Sequence, residues 1–315
     1  MNRFEYVAAP DVGGALAARR PDAAFKAGGM DLLDLMKSSI RAPGRLVNLL
    51  TIDELKGIDV DTSGATIGAL ATLAEIADHP DLARMFPALA LAAGHAATPQ
   101  VRNVATIGGN ILQRPRCWYF RMAQYPCLKK GGDTCFAMDG ENKYHAIFEN
   151  SLCAMVHPSN TAVALLALDA VVRTAGSGEI PIRKFFVTPD QDILRESALA
   201  EGELVTQLFI PATGARSHYL EFRERQSFDW ALVSAAAAAE LEGQTLNNAR
   251  VVLGSVAPIP WRIDLGEIAA TDEALDRAAD EAVRGATPLA KNKYKVQLAR
   301  TAIRRSLREL ARATE

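Results

Sequence analysis

All four cysteines of this chain lie between residues 117 and 153, in a stretch rich in Gly, Pro and Lys. The apolar periodicity that builds a helix or a strand is missing there, so an ordinary hydrophobic face does not explain the stretch. The N-terminus lacks a secretory signal, so we expect a cytoplasmic protein, in which reducing conditions disfavour disulfides. The cysteines are therefore interpreted as metal ligands.

The spacing of the cysteines favours one kind of site. Cys117, Cys127, Cys135 and Cys153 are separated by nine, seven and seventeen residues. Structural zinc sites generally use close Cys-x2-4-Cys pairs, and none occurs here. Four widely spaced thiolates suit a bulkier [4Fe–4S] cube. This reasoning favours the cluster and leaves zinc and unliganded thiols as alternatives, with His157 interpreted as a packing or hydrogen-bonding residue.

The rest of the chain has the composition of an ordinary globular protein, and the order of its predicted strands and helices changes near residue 212. Before it, strand-like and helix-like segments alternate; after it, strands come first and helices last, which is typical of an α+β domain. A net charge of −2 gives no basic field for nucleic acid, and no window is apolar enough to span a membrane. The basic segment "ARTAIRRSLRELAR" is interpreted as a solvated helix face.

Two glycine motifs, "KAGGMDLLDLM" and "ATIGGNI", each place paired glycines after a predicted strand. Glycine can adopt positive φ there and leaves backbone N–H groups uncovered, so phosphate oxygens can approach. A helix starting at Asp31 would add its positive end. Neither motif is a standard nucleotide fingerprint, and either one alone is compatible with a plain tight turn. As a pair they predict a dinucleotide pyrophosphate site.

The order of these motifs resembles that of one enzyme family. "FKAGGMDLLDLMK", "QVRNVATIGGNILQRPRCWYF" and "HPSNTAVALLALDA" are similar to the FAD-binding subunit of the xanthine dehydrogenase and molybdenum hydroxylase family. "RERQSFDWALVSAAAA" and "GSVAPIPWR" are similar to its C-terminal flavoprotein domain. The cysteine-rich insert resembles a subset with an extra [4Fe–4S] cluster, represented by 4-hydroxybenzoyl-CoA reductase and bacterial aldehyde oxidoreductase, and resembles the latter more.

The resemblance implies an α+β fold with two domains. A two-lobed FAD-binding domain of the vanillyl-alcohol-oxidase-like type would cover residues 1–212, with lobes at about 1–55 and 56–212 and the iron–sulfur insert at 114–156. Residues 213–315 would form a C-terminal α+β flavoprotein domain of the CO dehydrogenase type, with an antiparallel sheet and helices.

The resemblance also implies site residues but no catalytic residue in this chain. Two positions depart from the family pattern: Asn160 stands where Asp is usual, and Glu221 stands where Lys is frequent. A carboxylate near a phosphate would be repelled, so Glu221 is expected to point elsewhere and is left out of the site. The implied FAD contacts are Phe25, Lys26, Ala27, Gly28, Gly29, Met30, Asp31, Leu32, Thr106, Gly108, Gly109, Asn110, Asn160 and Val205, and the implied cluster ligands are Cys117, Cys127, Cys135 and Cys153.

The activity implied is electron transfer inside a heterotrimer. A large molybdenum-cofactor subunit would oxidise the substrate, an aldehyde to a carboxylate, and a small subunit with two [2Fe–2S] clusters would pass electrons to this chain, which would hand them through FAD to an external acceptor. Alternatives are a subunit of a hydroxybenzoyl-CoA-reductase-like or N-heterocycle-hydroxylating enzyme, a self-contained FAD oxidase, and a zinc-stabilised scaffold. Export of the folded chain with a signal-bearing partner would make it periplasmic.

Overall fold

The computed structural model describes residues 1–226 and 228–312 and contains a small parallel sheet at the N-terminus. Its strand order is β1-β3-β2, and a helix lies in the crossover between each pair of successive strands, as parallel pairing requires. Asp11 caps the first helix by accepting a 2.6 Å hydrogen bond from the Gly14 N–H. The elements are β1 (Glu5–Ala8), α1 (Val12–Ala17), β2 (Ala23–Lys26), α2 (Leu32–Lys37) and β3 (Arg45–Asn48).

The middle of the chain forms an antiparallel sheet and most of the helices. The strand order is β4-β5-β8-β6-β7, and α3, α5 and α9 contribute to the apolar core over it. Thr72 and Glu75 form a reciprocal capping box at the start of α3. The elements are β4 (Ile58–Val60), β5 (Gly64–Gly68), α3 (Leu73–Asp78), α4 (Pro80–Met85), α5 (Pro87–His95), α6 (Pro99–Arg102), α7 (Ile107–Ile111), α8 (Trp118–Arg121), α9 (Asn160–Ala167), β6 (Val171–Thr174), β7 (Glu179–Pro181) and β8 (Val205–Pro211).

The last part of the chain forms a four-stranded antiparallel sheet followed by two helices. The alanine run of β10 is buried on both faces, since Ala236 packs into the core shared with α9 whereas Ala235 and Ala237 pack into the core shared with α11. Small side chains let helices approach both faces of this strand. The elements are β9 (Arg216–Phe222), β10 (Val233–Glu242), β11 (Thr245–Gly254), β12 (Trp261–Ala269), α10 (Asp272–Ala282) and α11 (Tyr294–Ala311).

The basic segment of the sequence lies in α11 and faces α10. Arg304 lies 3.4 Å from Asp276, and Arg308 lies 2.6 Å from Asp272. These are partly exposed ion pairs of the kind expected on a solvated helix face, each contributing up to about 1 kcal/mol. None of the helices in the described part of the chain has the length and apolar character needed to cross a bilayer.

The predicted boundary near residue 212 falls between β8 and β9. The domain and lobe ranges nevertheless stay predictions. Residues 313–315 of the predicted C-terminal domain lie outside the described residues.

Candidate cofactor site and cysteine cavity

A cavity of about 1140 Å³ lies between the first two sheets and the loop that follows β9. Its volume and its mixture of apolar and polar walls suit a large cofactor. Every residue predicted to contact FAD lies on its wall, although their roles as FAD contacts stay predictions: Phe25, Lys26, Ala27, Gly28, Gly29, Met30, Asp31, Leu32, Thr106, Gly108, Gly109, Asn110, Asn160 and Val205.

The first glycine motif forms the turn between β2 and α2. Gly29 has the positive φ that the sequence predicts, +79°. Gly28 has a different role, because a Cβ at this position would lie 2.0 Å from the Val104 carbonyl oxygen. The absence of a side chain at Gly28 therefore lets the turn pack directly against the backbone that leads to the second glycine motif.

The second glycine motif does not follow a strand, so that part of the prediction was wrong. Thr106 makes an isolated bridge with Thr72 and then caps α7, its hydroxyl oxygen accepting from the Gly109 N–H at 3.3 Å. A threonine followed by Ile-Gly-Gly provides an N-cap, and local capping starts a helix here where the sequence suggested a strand and a turn. A Cβ on Gly108 would lie 3.0 Å from the Ala69 carbonyl oxygen. The first turn of α7 thus reaches the cavity with its backbone close to β5.

The "HPSN" segment orients Asn110. The Oδ1 atom of Asn110 accepts hydrogen bonds from Ser159 Oγ at 2.5 Å and from Thr161 Oγ1 at 2.7 Å. Ser159 also caps α9 by accepting from the Ala162 N–H at 3.0 Å. Because two hydroxyls bind the amide oxygen, Nδ2 is the group that Asn110 can direct to a ligand in the cavity.

The two positions that depart from the family pattern contact each other. Asn160 lies on the cavity wall, and its Nδ2 donates a 2.7 Å hydrogen bond to Glu221 Oε2. Glu221 itself lies outside the cavity wall, as the sequence analysis expects. Glu221 was not predicted as part of the site, although it directly contacts a predicted FAD-binding residue.

Arginines at the start of the predicted insert bind it to α2. Arg121 lies 2.6 Å from Asp31 and 3.0 Å from Asp34, and the Arg114 N–H donates to Asp31 at 2.9 Å. Arg116 lies over the ring of Trp230 at 4.8 Å. Arginines beside Cys117 were an available signal for Arg114 and Arg116. The wall also contains residues that were not predicted from the sequence: Arg41, Arg114, Arg116, Pro158, Glu203, Phe228 and Trp230.

All four cysteines line one small second cavity of about 20 Å³. This is close to the volume that one water needs, about 15 Å³. None of the four thiols is in a disulfide. The described residues contain no group of three or more His, Cys, Asp or Glu side chains arranged to hold a metal ion. The thiols therefore share a cavity without forming a single-ion site.

Backbone N–H groups point at the cysteine sulfurs. Cys117 accepts from the N–H groups of Tyr119 and Phe120, yet burial raises its pKa to about 11. Cys135 and Cys153 are hydrogen-bonded to each other, which lowers the pKa of Cys135 to about 6 and raises that of Cys153. Donors aimed at sulfur favour its negatively charged form and are the usual surroundings of metal-bound thiolates.

The wall of the cysteine cavity also includes His145, whose backbone is bound by α11 and the turn before it. Its carbonyl oxygen accepts from Asn292 Nδ2 at 3.1 Å and from Lys295 Nζ at 3.0 Å. Lys295 donates in addition to the carbonyl oxygens of Tyr144 and Ser255. Burial lowers the pKa of Lys295 to about 7, and burial, with the nearby charge of Lys295, lowers the pKa of His145 to about 4.

Comparison with protein families gives two matches that together cover most of the chain. Residues 2–213 match the FAD binding domain in molybdopterin dehydrogenase. Residues 217–310 match the CO dehydrogenase flavoprotein C-terminal domain.

Individual proteins align over almost the whole length. The chain is 37% identical to the aldehyde oxidoreductase FAD-binding subunit PaoB of Escherichia coli (strain K12), over 97% of both chains. It is 28% identical to the carbon monoxide dehydrogenase medium chain of Hydrogenophaga pseudoflava, over 97% of this chain and 96% of that one. A solved structure of carbon monoxide dehydrogenase from the same organism superposes with a TM-score of 0.75 at 27% identity, covering 98% of this chain and 97% of the other.

Proposed function

The chain belongs to the family of FAD-binding subunits of molybdenum hydroxylases, and from this premise we propose that it is the FAD-carrying electron-transfer subunit of an aldehyde oxidoreductase. The observation that carries the proposal is that the predicted FAD contacts, scattered between residues 25 and 205, share the wall of one cavity. The 37% identity to an aldehyde oxidoreductase subunit supports aldehydes as the substrate class of the whole enzyme.

Bound FAD would supply a carrier that is stable after taking up one or two electrons. The residues of this chain would bind and orient it. The turn at Gly29 and the first turn of α7 would offer backbone N–H groups to the pyrophosphate, and Asn110 would donate from Nδ2. Apolar wall residues such as Leu70 and Val205 would exclude water from the cavity.

The cysteine cavity supports a [4Fe–4S] cluster as a second cofactor of this chain. Its donor set is four thiols, and several backbone N–H groups already point at their sulfurs. Thiolates around a cavity, without convergence on one point, suit a cluster better than a single zinc ion. Cluster binding would separate Cys135 from Cys153, which are hydrogen-bonded to each other in this structure, and would widen the cavity, whose present volume of about 20 Å³ suits one water.

Partner subunits follow from the same proposal. A large subunit with the molybdenum cofactor and a small subunit with two [2Fe–2S] clusters would complete a heterotrimer, and an external acceptor would take the electrons from this chain. The curated relatives support a role within a larger assembly, since they are described as a FAD-binding subunit and a medium chain.

Copurification from the native host, with cofactor analysis, tests the proposal. We expect a complex of three chains that oxidises aldehydes with an artificial acceptor and contains FAD in this chain. Iron and acid-labile sulfide in the isolated chain should each be about four per FAD. A chain without FAD would overturn the flavin assignment, and one zinc per chain in place of iron would overturn the cluster.

A further inference from the structure

Glu221 carries a buried carboxylate directly behind the wall of the flavin cavity. Only 2% of its side chain is exposed, although it lies on β9 in the last sheet of the chain. It accepts hydrogen bonds of 2.7 Å from Asn160 Nδ2 and from the Tyr219 hydroxyl, and it forms an ion pair with Arg223. A carboxylate this deeply buried is stable as an ion only with such partners.

The carboxylate fixes which way the Asn160 amide faces. An ionised carboxylate has acceptor atoms only, so Asn160 must present its NH2 group to Glu221. The amide oxygen of Asn160 is then the atom that remains for the cavity, on whose wall the residue lies. The orientation of this amide is therefore set by a hydrogen bond from behind the cavity wall.

The same ion pair reaches a second part of the wall. Arg223 donates to the His95 carbonyl oxygen at 2.9 Å. Ala96 and Ala97 follow immediately and line the cavity. The Glu221–Arg223 ion pair of the last sheet thus binds the start of α9 through Glu221 and the end of α5 through Arg223, where both helices border the cavity.

We propose that Glu221 is a positioning residue of the flavin site, which holds the Asn160 oxygen towards the cavity to accept a hydrogen bond from a hydroxyl or N–H group of FAD. The inference rests on the proposed FAD site. It also explains the amide at position 160, because an aspartate there would face Glu221 across the same 2.7 Å, and two adjacent buried carboxylates cannot both be ionised.

Substitutions at positions 160 and 221 in the full chain test this inference, with FAD affinity measured by flavin fluorescence at about pH 8. We expect Asn160→Asp to weaken FAD binding at least about tenfold through carboxylate repulsion. Asn160→Asp combined with Glu221→Gln should restore the affinity to within about threefold of the original chain, because the pair again has one carboxylate beside Arg223 and one amide that donates to it. Glu224→Gln is the matched control, since Glu224 is an exposed carboxylate three residues along that pairs with Lys143 outside the cavity wall.

Glu221→Gln provides a second test that keeps the side-chain volume. A glutamine can donate as well as accept, so Asn160 loses its fixed orientation, and we expect about threefold to tenfold weaker FAD binding with an unchanged circular dichroism spectrum. Original affinity in both Asn160→Asp and Glu221→Gln would overturn the inference while leaving the flavin site intact. A double variant no better than Asn160→Asp would overturn it as well. Absence of FAD binding by the unmodified chain would instead overturn the proposed function together with the inference.

Discussion

The imidazole Nε2 of His145 lies 3.2 Å from the Sγ of Cys117. The other ring nitrogen, Nδ1, is buried without a hydrogen-bond partner among the described atoms. An unpartnered N–H would be costly there, so the neutral ring carries its proton on Nε2 and donates it to sulfur. The ring is held in place edge-on against Trp118, with centroids 5.3 Å apart.

Loss of this hydrogen bond should lower the reduction potential of the proposed cluster, because donors to ligand sulfur stabilise the more negatively charged, reduced state. We expect His145→Phe to shift the midpoint of an EPR-monitored redox titration to more negative values at full iron content. His145→Gln keeps an N–H donor, so its redox midpoint should lie between those of His145→Phe and the original chain. Loss of iron in both variants would mean that His145 is a ligand, and an unchanged midpoint would contradict the prediction.

Cys135→Ser should remove iron and sulfide while leaving most of the FAD in place. The reason is that Cys135 lines the cysteine cavity and not the flavin cavity. Iron, sulfide and flavin analysis of the same sample gives both readouts. Thr134→Ala is the neighbouring control, since the Thr134 hydroxyl donates to exposed Asp133 at 2.8 Å. Full iron content in Cys135→Ser would show that the assignment of this ligand is wrong.

Gly29→Val should release FAD. Gly29 has φ of +79°, and a Cβ there would lie 3.1 Å from Leu33 Cδ1, so the Leu33 side chain must shift as well. Gly178 is a matched control, because it has φ of +76° and a Cβ there would meet no atom within 4 Å. Both substitutions incur the backbone cost of about 1–2 kcal/mol. Flavin content should fall in Gly29→Val alone, and equal loss in Gly178→Val would assign the effect to general destabilisation.

The buried imidazole of His157 should make the chain less stable in acid. Burial lowers its pKa to about 3, so the folded chain keeps it neutral while the unfolded chain protonates it below about pH 6.5. The unfolded state then binds more protons, and the free energy of unfolding falls as the pH drops from 6.5 towards 3, by up to about 1.4 kcal/mol per pH unit.

His157→Asn keeps an acceptor near the Ser159 N–H, which Nδ1 of His157 now provides at 3.4 Å, and does not titrate. Chemical denaturation at several pH values should therefore give a shallower acid slope for this variant, with the two proteins compared first at about pH 8, where both side chains are neutral. Parallel slopes for the two proteins would rule out His157 as the source.

Signals that act within a few residues predict local structure well in this chain. The paired glycines after β2 and the order of strands followed by helices after residue 212 both match the structure. The predicted FAD contacts share one cavity wall, because glycine motifs and the family resemblance mark these segments locally, and their role as FAD contacts stays a prediction. The "ATIGGNI" motif misleads because the sequence signal for a turn and that for an N-cap coincide at Thr106.

Contacts between segments that are distant along the chain cannot be predicted from a single sequence. Asn160 and Glu221 are each a departure from the family pattern, and only the fold shows that they are partners 61 residues apart. The spacing of the cysteines likewise gives no indication that the backbone of His145 is bound by α11. Such pairs depend on sheet register and helix packing, which local propensity does not encode.

Lys295 donates to the Tyr144 and His145 carbonyl oxygens, and this contact has a consequence for the order in which the chain can fold. Translation proceeds from the N-terminus, so all four cysteines leave the ribosome well before Lys295. Until Lys295 has been synthesised, the segment that contains Tyr144 and His145 lacks a donor that fixes its backbone. The wall of the cavity that the four thiols line is thus completed by a helix that is synthesised after them.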